Sequence, residues 1–310
     1  MLEVIDLRKV FKDNVAVNDV NMYMGRGESV GLVGPNGAGK STTIAMISTL
    51  IRPTSGDVKL NGASVLVDAA PMRAVLGVVP QEVALYPELS AQENLEFFGS
   101  LYGLRGKELA AAVDDALELV GLSDRRKDVI KKYSGGMKRR INIAAALLHN
   151  PEFVIMDEPT VGIDPQSRNH ILETVRTLNR ERGLTVLYTS HYMEEVEQLC
   201  DRIYVMDHGK VIASGTNNEI KAILAADNTI LLQVESRNDG LETRLAALPA
   251  VRQVTQTDDG LKLITSHDNG VLSEVFKAAE AEGAVISSLG VQKPSLEDVF
   301  LHLTGRTLRD

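Results

Sequence analysis

The feature that most constrains the fold is the glycine-rich segment at residues 34–41, which reads Gly-Pro-Asn-Gly-Ala-Gly-Lys-Ser. It follows a short apolar run at residues 29–33 and precedes a predicted helix that begins at Lys40 and ends near Ile51. A strand, a glycine-rich turn and a helix in this order are typical of a phosphate-binding loop in an α/β protein. Because glycine has no Cβ, its backbone N–H groups can closely approach phosphate oxygens.

The side chains of this segment also suit a nucleotide. Lys40 can supply positive charge to the β- and γ-phosphates, and the Ser41 hydroxyl can ligate Mg²⁺. Alone, the loop indicates only nucleotide binding, because kinases, GTPases and motor ATPases share it. A glycine-rich turn without a ligand is the alternative. The residues that we expect to contact ATP are Asn36, Gly37, Ala38, Gly39, Lys40, Ser41 and Thr42.

Periodic patterns divide the chain into two parts. In residues 1–222, predicted strands alternate with helices, which indicates an α/β fold with a mainly parallel sheet covered on both faces. In residues 223–310, the predicted order is β-α-β-β-α-β, typical of a small α+β ferredoxin-like domain. A length of 310 residues also favours two domains. We therefore expect two domains, 1–222 and 223–310.

Hydrophobic periodicity and capping residues place the individual elements. Asp164 and Pro165 suit the first turn of a helix, and Gly183 suits its end. Predicted strands cover 2–10, 16–24, 29–33, 153–156, 184–189, 202–206, 210–213, 229–234, 251–256, 260–265 and 284–290. Further predicted helices cover 91–122 with breaks near Gly103 and Gly106, 135–149, 239–247, 270–281 and a last segment from Pro294-Ser295.

Composition and charge limit the classes of function. Apolar residues make up 44% and charged residues 24%, and no apolar run approaches the roughly 18 to 20 residues that a helix needs to cross a bilayer. The first six residues lack the pattern of a signal peptide, and the single Cys200 fits a small buried hydrophobe. A net charge of −9 disfavours a nucleic-acid partner. We expect a cytoplasmic protein.

One short stretch is basic although the whole chain is acidic. It is either a solvated helix face or a local positive field near bound phosphates. Its members are Arg125, Arg126, Lys127, Lys131, Lys132, Lys138, Arg139 and Arg140.

Two further motifs suit nucleotide binding and hydrolysis. Ser134 suits a helix N-cap, but the following Gly135 and Gly136 would each cost about 1 kcal/mol in a helix relative to alanine. Close approach of backbone N–H groups to a γ-phosphate explains both glycines. A second apolar run ends in Asp157, which can hold Mg²⁺ through water, and Glu158, which can orient or deprotonate an attacking water. A pair of acids at a surface edge is the alternative.

Taken together, these segments resemble the ATP-binding subunits of ABC transporters. The phosphate loop, the Ser134-Gly135-Gly136 signature and the Asp157-Glu158 pair occur in the family order within residues 1 to about 220. The resemblance implies an ABC-type P-loop NTPase core with a mixed, mainly parallel sheet, an antiparallel β subdomain and a helical subdomain. It also implies ATP and Mg²⁺ as ligands, with Glu158 as the catalytic glutamate.

The resemblance assigns roles outside these motifs. Gln81 is similar to the glutamine that links Mg²⁺ to the transmembrane subunit, and His191 to the switch histidine, so both are catalytic candidates beside Glu158. Asp164 resembles part of the loop that crosses to the partner subunit. Phe11 stands where an adenine-stacking tyrosine is more usual, with Val17 on the other side. The alternatives are a core role for Phe11 and a structural role for His191. The expected metal ligands are Ser41, Gln81 and Asp157.

A chain with one phosphate loop and one signature implies a dimer, because in the family the signature of one subunit completes the site of its partner. We expect a homodimer, or a pair with a homologous ATPase, that closes around two ATP-Mg²⁺. Its cycle would drive a separate transmembrane permease at the inner face of the cell membrane. The predicted docking surface is Gln81–Glu88, with Phe97 and Phe98 kept in the core.

Departures from the family pattern indicate which branch of the family the chain resembles. Tyr133 replaces the usual leucine of the signature and Met137 the usual glutamine, and the ending at residues 295–305 looks like the drug- and sodium-efflux exporters. Their permease is a separate chain of the ABC-2 type. The main alternative is a soluble ABC-type ATPase not tied to transport, but tandem nucleotide domains and long coiled coils are missing from this sequence. A kinase or GTPase leaves the signature without a role. Residues 223–310 gather no catalytic or metal-ligand residue types, which favours a docking or dimer-stabilising role for the C-terminal domain over binding of a regulatory ligand.

Overall fold

The computed structural model describes residues 1–190, 192–224, 227–235, 239–257, 260–266 and 270–305. These residues form two compact units, the first spanning Met1–Thr216 and the second beginning at Asn217. Among the described residues, no helix combines the length and the apolar character that crossing a bilayer requires.

The first part of the first unit contains an antiparallel sheet and the phosphate loop. The elements of this part in chain order are β1 (Leu2–Phe11), β2 (Asn14–Met24), β3 (Ser29–Val33), α1 (Lys40–Ile47), β4 (Ser55–Leu60) and β5 (Ala63–Ser64). The strands β2, β1, β4 and β5 lie side by side in this order, and every pairing among them is antiparallel. The strand β3 belongs to a second sheet.

The rest of the first unit alternates helices with strands of the second sheet. The elements are α2 (Ala70–Val75), β6 (Leu76–Val79), α3 (Ala91–Leu101), α4 (Gly106–Leu119), α5 (Gly135–Leu147), β7 (Phe153–Met156), α6 (Pro165–Arg182), β8 (Thr185–Thr189), α7 (Met193–Leu199), β9 (Arg202–Asp207) and β10 (Lys210–Thr216). Short 3₁₀ turns cover Ser123–Arg125 and Ile130–Lys132.

The second sheet positions the candidate site. Its order is β10-β9-β3-β8-β7-β6, and only the β9–β10 pairing is antiparallel. The strands β3, β7 and β8 are buried along their whole length, as strands covered on both faces must be. Since these strands run parallel, the segments that follow them meet at one edge of the sheet. The expected mainly parallel α/β core is confirmed.

A helical layer of α3, α4 and α5 has its own apolar core. Leu95, Leu117 and Ile141 are fully buried in it. Tyr133, which precedes α5, is also buried there, and its hydroxyl donates a 2.7 Å hydrogen bond to the Arg125 carbonyl. The tyrosine that departs from the family signature therefore supports this layer. Ser90 and Glu93 form a reciprocal capping box that begins α3.

The second unit is a β-α-β-β-α-β sheet with a helix at each end. Its elements are α8 (Asn217–Ala222), β11 (Asp227–Val234), α9 (Asp239–Ala246), β12 (Val251–Thr257), β13 (Gly260–Ser266), α10 (Val271–Ala281), β14 (Ile286–Gln292) and α11 (Leu296–Thr304). The order β12-β13-β11-β14 is antiparallel throughout. The expected ferredoxin-like arrangement of the C-terminal part is thus confirmed.

The structure differs from the sequence predictions in several places. The helix α1 ends at Ile47 rather than near Ile51, because Thr49 adopts a left-handed backbone with φ of +62°. The strands β4 to β6 and the helix α2 occupy a stretch for which the sequence predicted no element. Phe97 is 39% exposed rather than in the core, because its ring packs edge-on against Tyr86 at the surface, at a centroid distance of 4.9 Å.

Candidate functional site

A cavity of about 470 Å³ lies over the segment between β3 and α1. All seven loop residues that the sequence assigns to ATP line it, as do Phe11, Gln81 and Glu158. Its other lining residues were not predicted: Asn14, Val15, Ala16, His208 and Gly209. They come from the start of β2 and from the β9–β10 turn, and the sequence carries no motif that marks them.

Two glycines of the loop are also required by the surrounding fold. A Cβ on Gly34 would overlap the Met206 carbonyl oxygen. Gly39 has φ of +103°, and a Cβ there would lie 2.6 Å from the Ala16 carbonyl oxygen. Gly37 has φ of +80° and open space around it, so its backbone can approach a ligand without hindrance. The loop is therefore held between β2 and β9 while one side of it faces the cavity.

Lys40 lies at the base of the loop with 6% of its surface exposed. Its ammonium donates hydrogen bonds to the carbonyls of Gly34 at 2.7 Å and Pro35 at 3.2 Å. Burial lowers the pKa of this ammonium, while the nearby carboxylates of Glu158 and Asp157 act in the opposite direction. The loop is thus wrapped around one positive charge, as phosphate binding requires.

The two acidic residues at the end of β7 are fixed by one hydroxyl on the neighbouring strand β8. Thr189 Oγ1 donates a 2.8 Å hydrogen bond to Asp157 Oδ1 and accepts a 2.8 Å bond from the Glu158 N–H. Glu158 is buried and has φ of +48°, which is uncommon for a residue other than glycine. Such a conformation persists only where neighbours hold it, and it turns the Glu158 side chain to the cavity that it lines.

Gln81 joins this pair from the segment after β6. Its side-chain amide donates a 2.9 Å hydrogen bond to Glu158 Oε2. Its backbone carbonyl accepts a bond from the guanidinium of Arg139, which also donates to the Pro80 carbonyl at 2.7 Å. Arg139 is buried, and this burial lowers the pKa of its guanidinium. Arg139 is therefore a positioning residue for the Gln81 segment that sequence reasoning missed.

The members of the basic stretch have different environments, since Arg139 is buried and several of the others are exposed. Arg140 donates to the Val120 carbonyl at 2.9 Å, and three other members form surface ion pairs. These pairs are Arg125–Asp128, Arg126–Asp114 and Lys131–Glu88. Exposed pairs of this kind contribute little to stability.

The residues expected to hold Mg²⁺ offer the ligands that this ion prefers. They are the Ser41 hydroxyl, the Gln81 amide oxygen and the Asp157 carboxylate, all hard oxygen donors. Ser41 and Gln81 line the cavity, and Asp157 Oδ1 is fixed by Thr189. No cluster of three or more histidine, cysteine or acidic side chains suited to another metal occurs in the described part of the chain. The donor set therefore fits Mg²⁺ bound together with phosphate oxygens.

The two residues expected around adenine have different environments in the structure. Phe11 is 47% exposed, lines the cavity and has the Lys9 ammonium 5.1 Å from its ring centroid. Val17 is instead fully buried in the core and does not line the cavity; Val15 and Ala16 take that place. The physical reason is irregular pairing of β1 with β2, since register shifts flank the Lys9–Val17 pair.

The signature lies away from the cavity of its own chain. Ser134 caps α5 by accepting a 3.2 Å hydrogen bond from the Met137 N–H. Gly135 is exposed, and a Cβ built on it would come no closer than 3.8 Å to Ile163. A Cβ on Gly136 would instead overlap the side chain of Ser167. Packing of α5 against α6 therefore requires the second glycine, and phosphate approach remains an explanation for the first alone.

Asp164 and His191 complete the predicted site residues. Asp164 caps α6 by accepting a 2.9 Å hydrogen bond from the Ser167 N–H, and this bond lowers the pKa of its carboxyl. It is exposed, lies near Gly136 and does not line the cavity. His191 lies outside the described residues.

Comparison with protein families assigns both parts of the chain. The family described as ABC transporter matches residues 17–161. The family described as ATP-binding protein DrrA1-3-like, C-terminal domain, matches residues 215–304.

Individual relatives match over the whole chain. The linearmycin resistance ATP-binding protein LnrL of Bacillus subtilis is 50% identical over 100% of both chains. The Nod factor export ATP-binding protein I of Cupriavidus pinatubonensis is 37% identical over 100% of this chain and 92% of its own. Among solved structures, a dimeric ATP-binding cassette in a post-hydrolysis state bound to ADP and Pi is similar with a TM-score of 0.64 and 28% identity. That similarity covers 70% of this chain and 98% of the cassette.

Proposed function

Because the chain belongs to the ATP-binding subunits of ABC transporters, we propose that it powers export through a separate permease of the ABC-2 type. The observation that carries this proposal is the convergence of Lys40, Gln81 and Glu158 on one cavity. The names of the relatives, which refer to linearmycin resistance and Nod factor export, support outward transport. In this assignment residues 1–222 are the nucleotide-binding domain and residues 223–310 an accessory domain.

The geometry supports hydrolysis of the terminal phosphate of ATP. The backbone N–H groups of residues 36–42 and the Lys40 ammonium would bind the phosphates, and Phe11 would stack on the adenine. Mg²⁺ held by Ser41, Gln81 and Asp157 would neutralise charge on the β- and γ-phosphates. Glu158 would orient the attacking water and accept its proton. The bond from Gln81 holds the Glu158 carboxylate toward the same space.

A complete site requires two copies, or one copy with a homologous ATPase. Ser134 and Gly135 are exposed and do not line the cavity of their own chain, so their N–H groups are available to a nucleotide bound by a partner. Asp164 caps α6 near Gly136 of this signature and would contact the opposite site in such a dimer. Closure of such a dimer around two ATP-Mg²⁺, followed by opening after hydrolysis, would supply the mechanical step of transport.

The docking surface for the permease lies next to Gln81. Tyr86 and Val83 are exposed, and Phe97 extends the aromatic surface through its edge-on contact with Tyr86. This arrangement joins an apolar surface to a residue of the nucleotide cavity within one short segment. Binding of the permease at this surface would hold the protein at the inner face of the cell membrane.

A mixture of two inactive variants tests the composite site. Lys40→Ala removes the phosphate lysine, and Ser134→Arg blocks the signature, so each homodimer should be inactive. A mixed dimer retains one site with a wild-type loop and a wild-type signature. Random pairing of equal amounts should recover roughly a quarter of wild-type turnover, because half of the dimers are mixed and each has one working site. Absence of recovery would argue against a site shared across the interface.

Co-purification tests the docking surface. A Tyr86→Arg variant should lose the co-expressed permease on purification from detergent-solubilised membranes, whereas Tyr23→Arg, a change at an exposed tyrosine of β2, should keep it. Retention of the permease by Tyr86→Arg would place its docking site elsewhere.

A further inference from the structure

A buried glutamate that is not among the predicted site residues is hydrogen-bonded to the segments that form the candidate site. Glu195 is on α7 and has 3% of its surface exposed. Its Oε2 accepts hydrogen bonds from three hydroxyl groups, those of Thr160 at 2.8 Å, Tyr188 at 2.9 Å and Ser190 at 2.6 Å. All three donors are fully buried.

The three donors come from the segments that carry the candidate catalytic groups. Thr160 lies two positions after Glu158, in the loop that leads to Asp164. Tyr188 lies within β8, and Ser190 directly follows that strand, after the Thr189 that bonds to Asp157 and Glu158. One carboxylate oxygen therefore connects the loop after β7 to the segment after β8.

The connection extends to α6. The Arg168 guanidinium lies 4.0 Å from the centroid of the Tyr192 ring, and its Nε is 3.6 Å from Glu195 Oε1. Ser190 Oγ also accepts a 2.9 Å hydrogen bond from the Tyr192 N–H. Arg168 is on the first turns of the helix that Asp164 caps. Three separate segments thus converge on the two oxygens of one side chain.

Burial of a carboxylate is costly, and an apolar side chain at this position would pack α7 against the sheet without that cost. Glu195 does not line the cavity, so it has no direct contact with a nucleotide bound there. We propose that Glu195 is a positioning residue for ATP hydrolysis, which holds the loop carrying Glu158 and Asp164 in register with the segment after Thr189. This inference rests on the proposed site.

The matched pair Glu195→Gln and Glu194→Gln tests the inference in the full-length protein. Both changes replace one acid on the same turn of α7, but Glu194 is exposed. Glu195→Gln keeps the size of the side chain and loses the charge beside Arg168. It should lower kcat for ATP at least tenfold while the affinity for a fluorescent ATP analogue changes less than twofold. Glu194→Gln should leave kcat, KM and analogue affinity at wild-type values.

Two further variants remove single donors and keep the carboxylate. Thr160→Val and Ser190→Ala should each lower kcat severalfold without weakening binding of the analogue, and either can be measured if Glu195→Gln does not fold. Wild-type kcat in Glu195→Gln or in both donor variants would overturn the inference. So would equal losses of kcat and analogue affinity, because general destabilisation would produce both. Glu158→Gln, assayed in parallel, tests the proposed site separately, since its retained activity would remove Glu158 but would not alter the result for Glu195.

Discussion

The side-chain amide of Gln81 donates a 2.9 Å hydrogen bond to the carboxylate of Glu158, across 77 positions of the chain. Arg139 fixes the same segment from the other side by binding the carbonyls of Pro80 and Gln81. The candidate catalytic carboxylate is thereby linked to the segment that carries the proposed docking surface. A displacement of that surface would reach Glu158 through a single hydrogen bond.

Glu158→Gln should abolish turnover and leave ATP binding intact, because an amide cannot accept the proton of the attacking water. Bound ATP that is not hydrolysed should then hold the dimer closed, which size-exclusion chromatography with ATP will show as a doubled mass. Glu173→Gln, which changes an exposed acid on α6, serves as the control. Hydrolysis by Glu158→Gln at the wild-type rate would exclude the proposed role.

Lys40→Ala should weaken ATP binding at least tenfold, equivalent to about 1.4 kcal/mol. The variant loses the charge around which the loop is wrapped, together with its bonds to Gly34 and Pro35. Titration calorimetry measures the affinity directly. Lys107→Ala, on the exposed start of α4, should bind ATP as the wild type does. Equal affinities in all three proteins would contradict the assignment of the phosphate loop.

Gly135→Ala should reduce ATPase activity, whereas Gly136→Ala should reduce stability. The second variant forces a methyl group into Ser167 and should lower the free energy of unfolding by about 1–3 kcal/mol. Gly135→Ala has room for its methyl group and should unfold as the wild type does. In the proposed dimer the methyl group would face the partner's nucleotide, so this variant should hydrolyse ATP more slowly. Thermal unfolding and ATPase assays separate the two effects.

A second change checks the packing explanation. Ser167→Gly introduced into Gly136→Ala should recover part of the lost stability, because it removes the side chain that the methyl group meets. No recovery would mean that the second glycine serves another purpose than helix packing.

Acid should destabilise the first unit partly through His149. Its ring stacks on Tyr102 at 3.7 Å, its Nε2 donates to the Leu76 carbonyl at 3.1 Å, and its Nδ1 is buried without a partner. Burial lowers the pKa of this imidazole in the folded state. The unfolded chain therefore binds the proton first, and the His149 contribution to stability is lost as the pH falls below about 6.5.

The measurement is the midpoint of thermal unfolding between pH 7.5 and pH 5. We expect the midpoint to fall more steeply in the wild type than in His149→Phe, which keeps an aromatic ring on Tyr102 and cannot be protonated. Identical slopes for the two proteins would show that His149 does not titrate on unfolding in this range.

The sequence predicted features that depend on residues close together in the chain. The phosphate loop, the Asp164 cap and the Gly183 end of α6 depend on neighbouring residues, and the structure places all three as predicted. Long-range contacts were not accessible in this way. The strand β4 begins with Ser-Gly-Asp, a weak local signal, and exists because it pairs with β1.

The same limit explains the errors within the site. Alternation along β2 fails where its pairing with β1 shifts register, so Val17 turns to the core and Ala16 to the cavity. Arg139 looks like one basic residue among several, since nothing in the sequence shows that it binds the Gln81 segment. Gly136 carries no local sign that Ser167 lies against it.

The absence of room for a methyl group between Gly136 and Ser167 has a mechanical consequence. The first turns of α5 and α6 are already in close contact at this point, so they cannot approach each other further without a clash. A movement that brings the signature toward a partner would therefore carry the first turn of α6 along with α5 or draw the two helices apart.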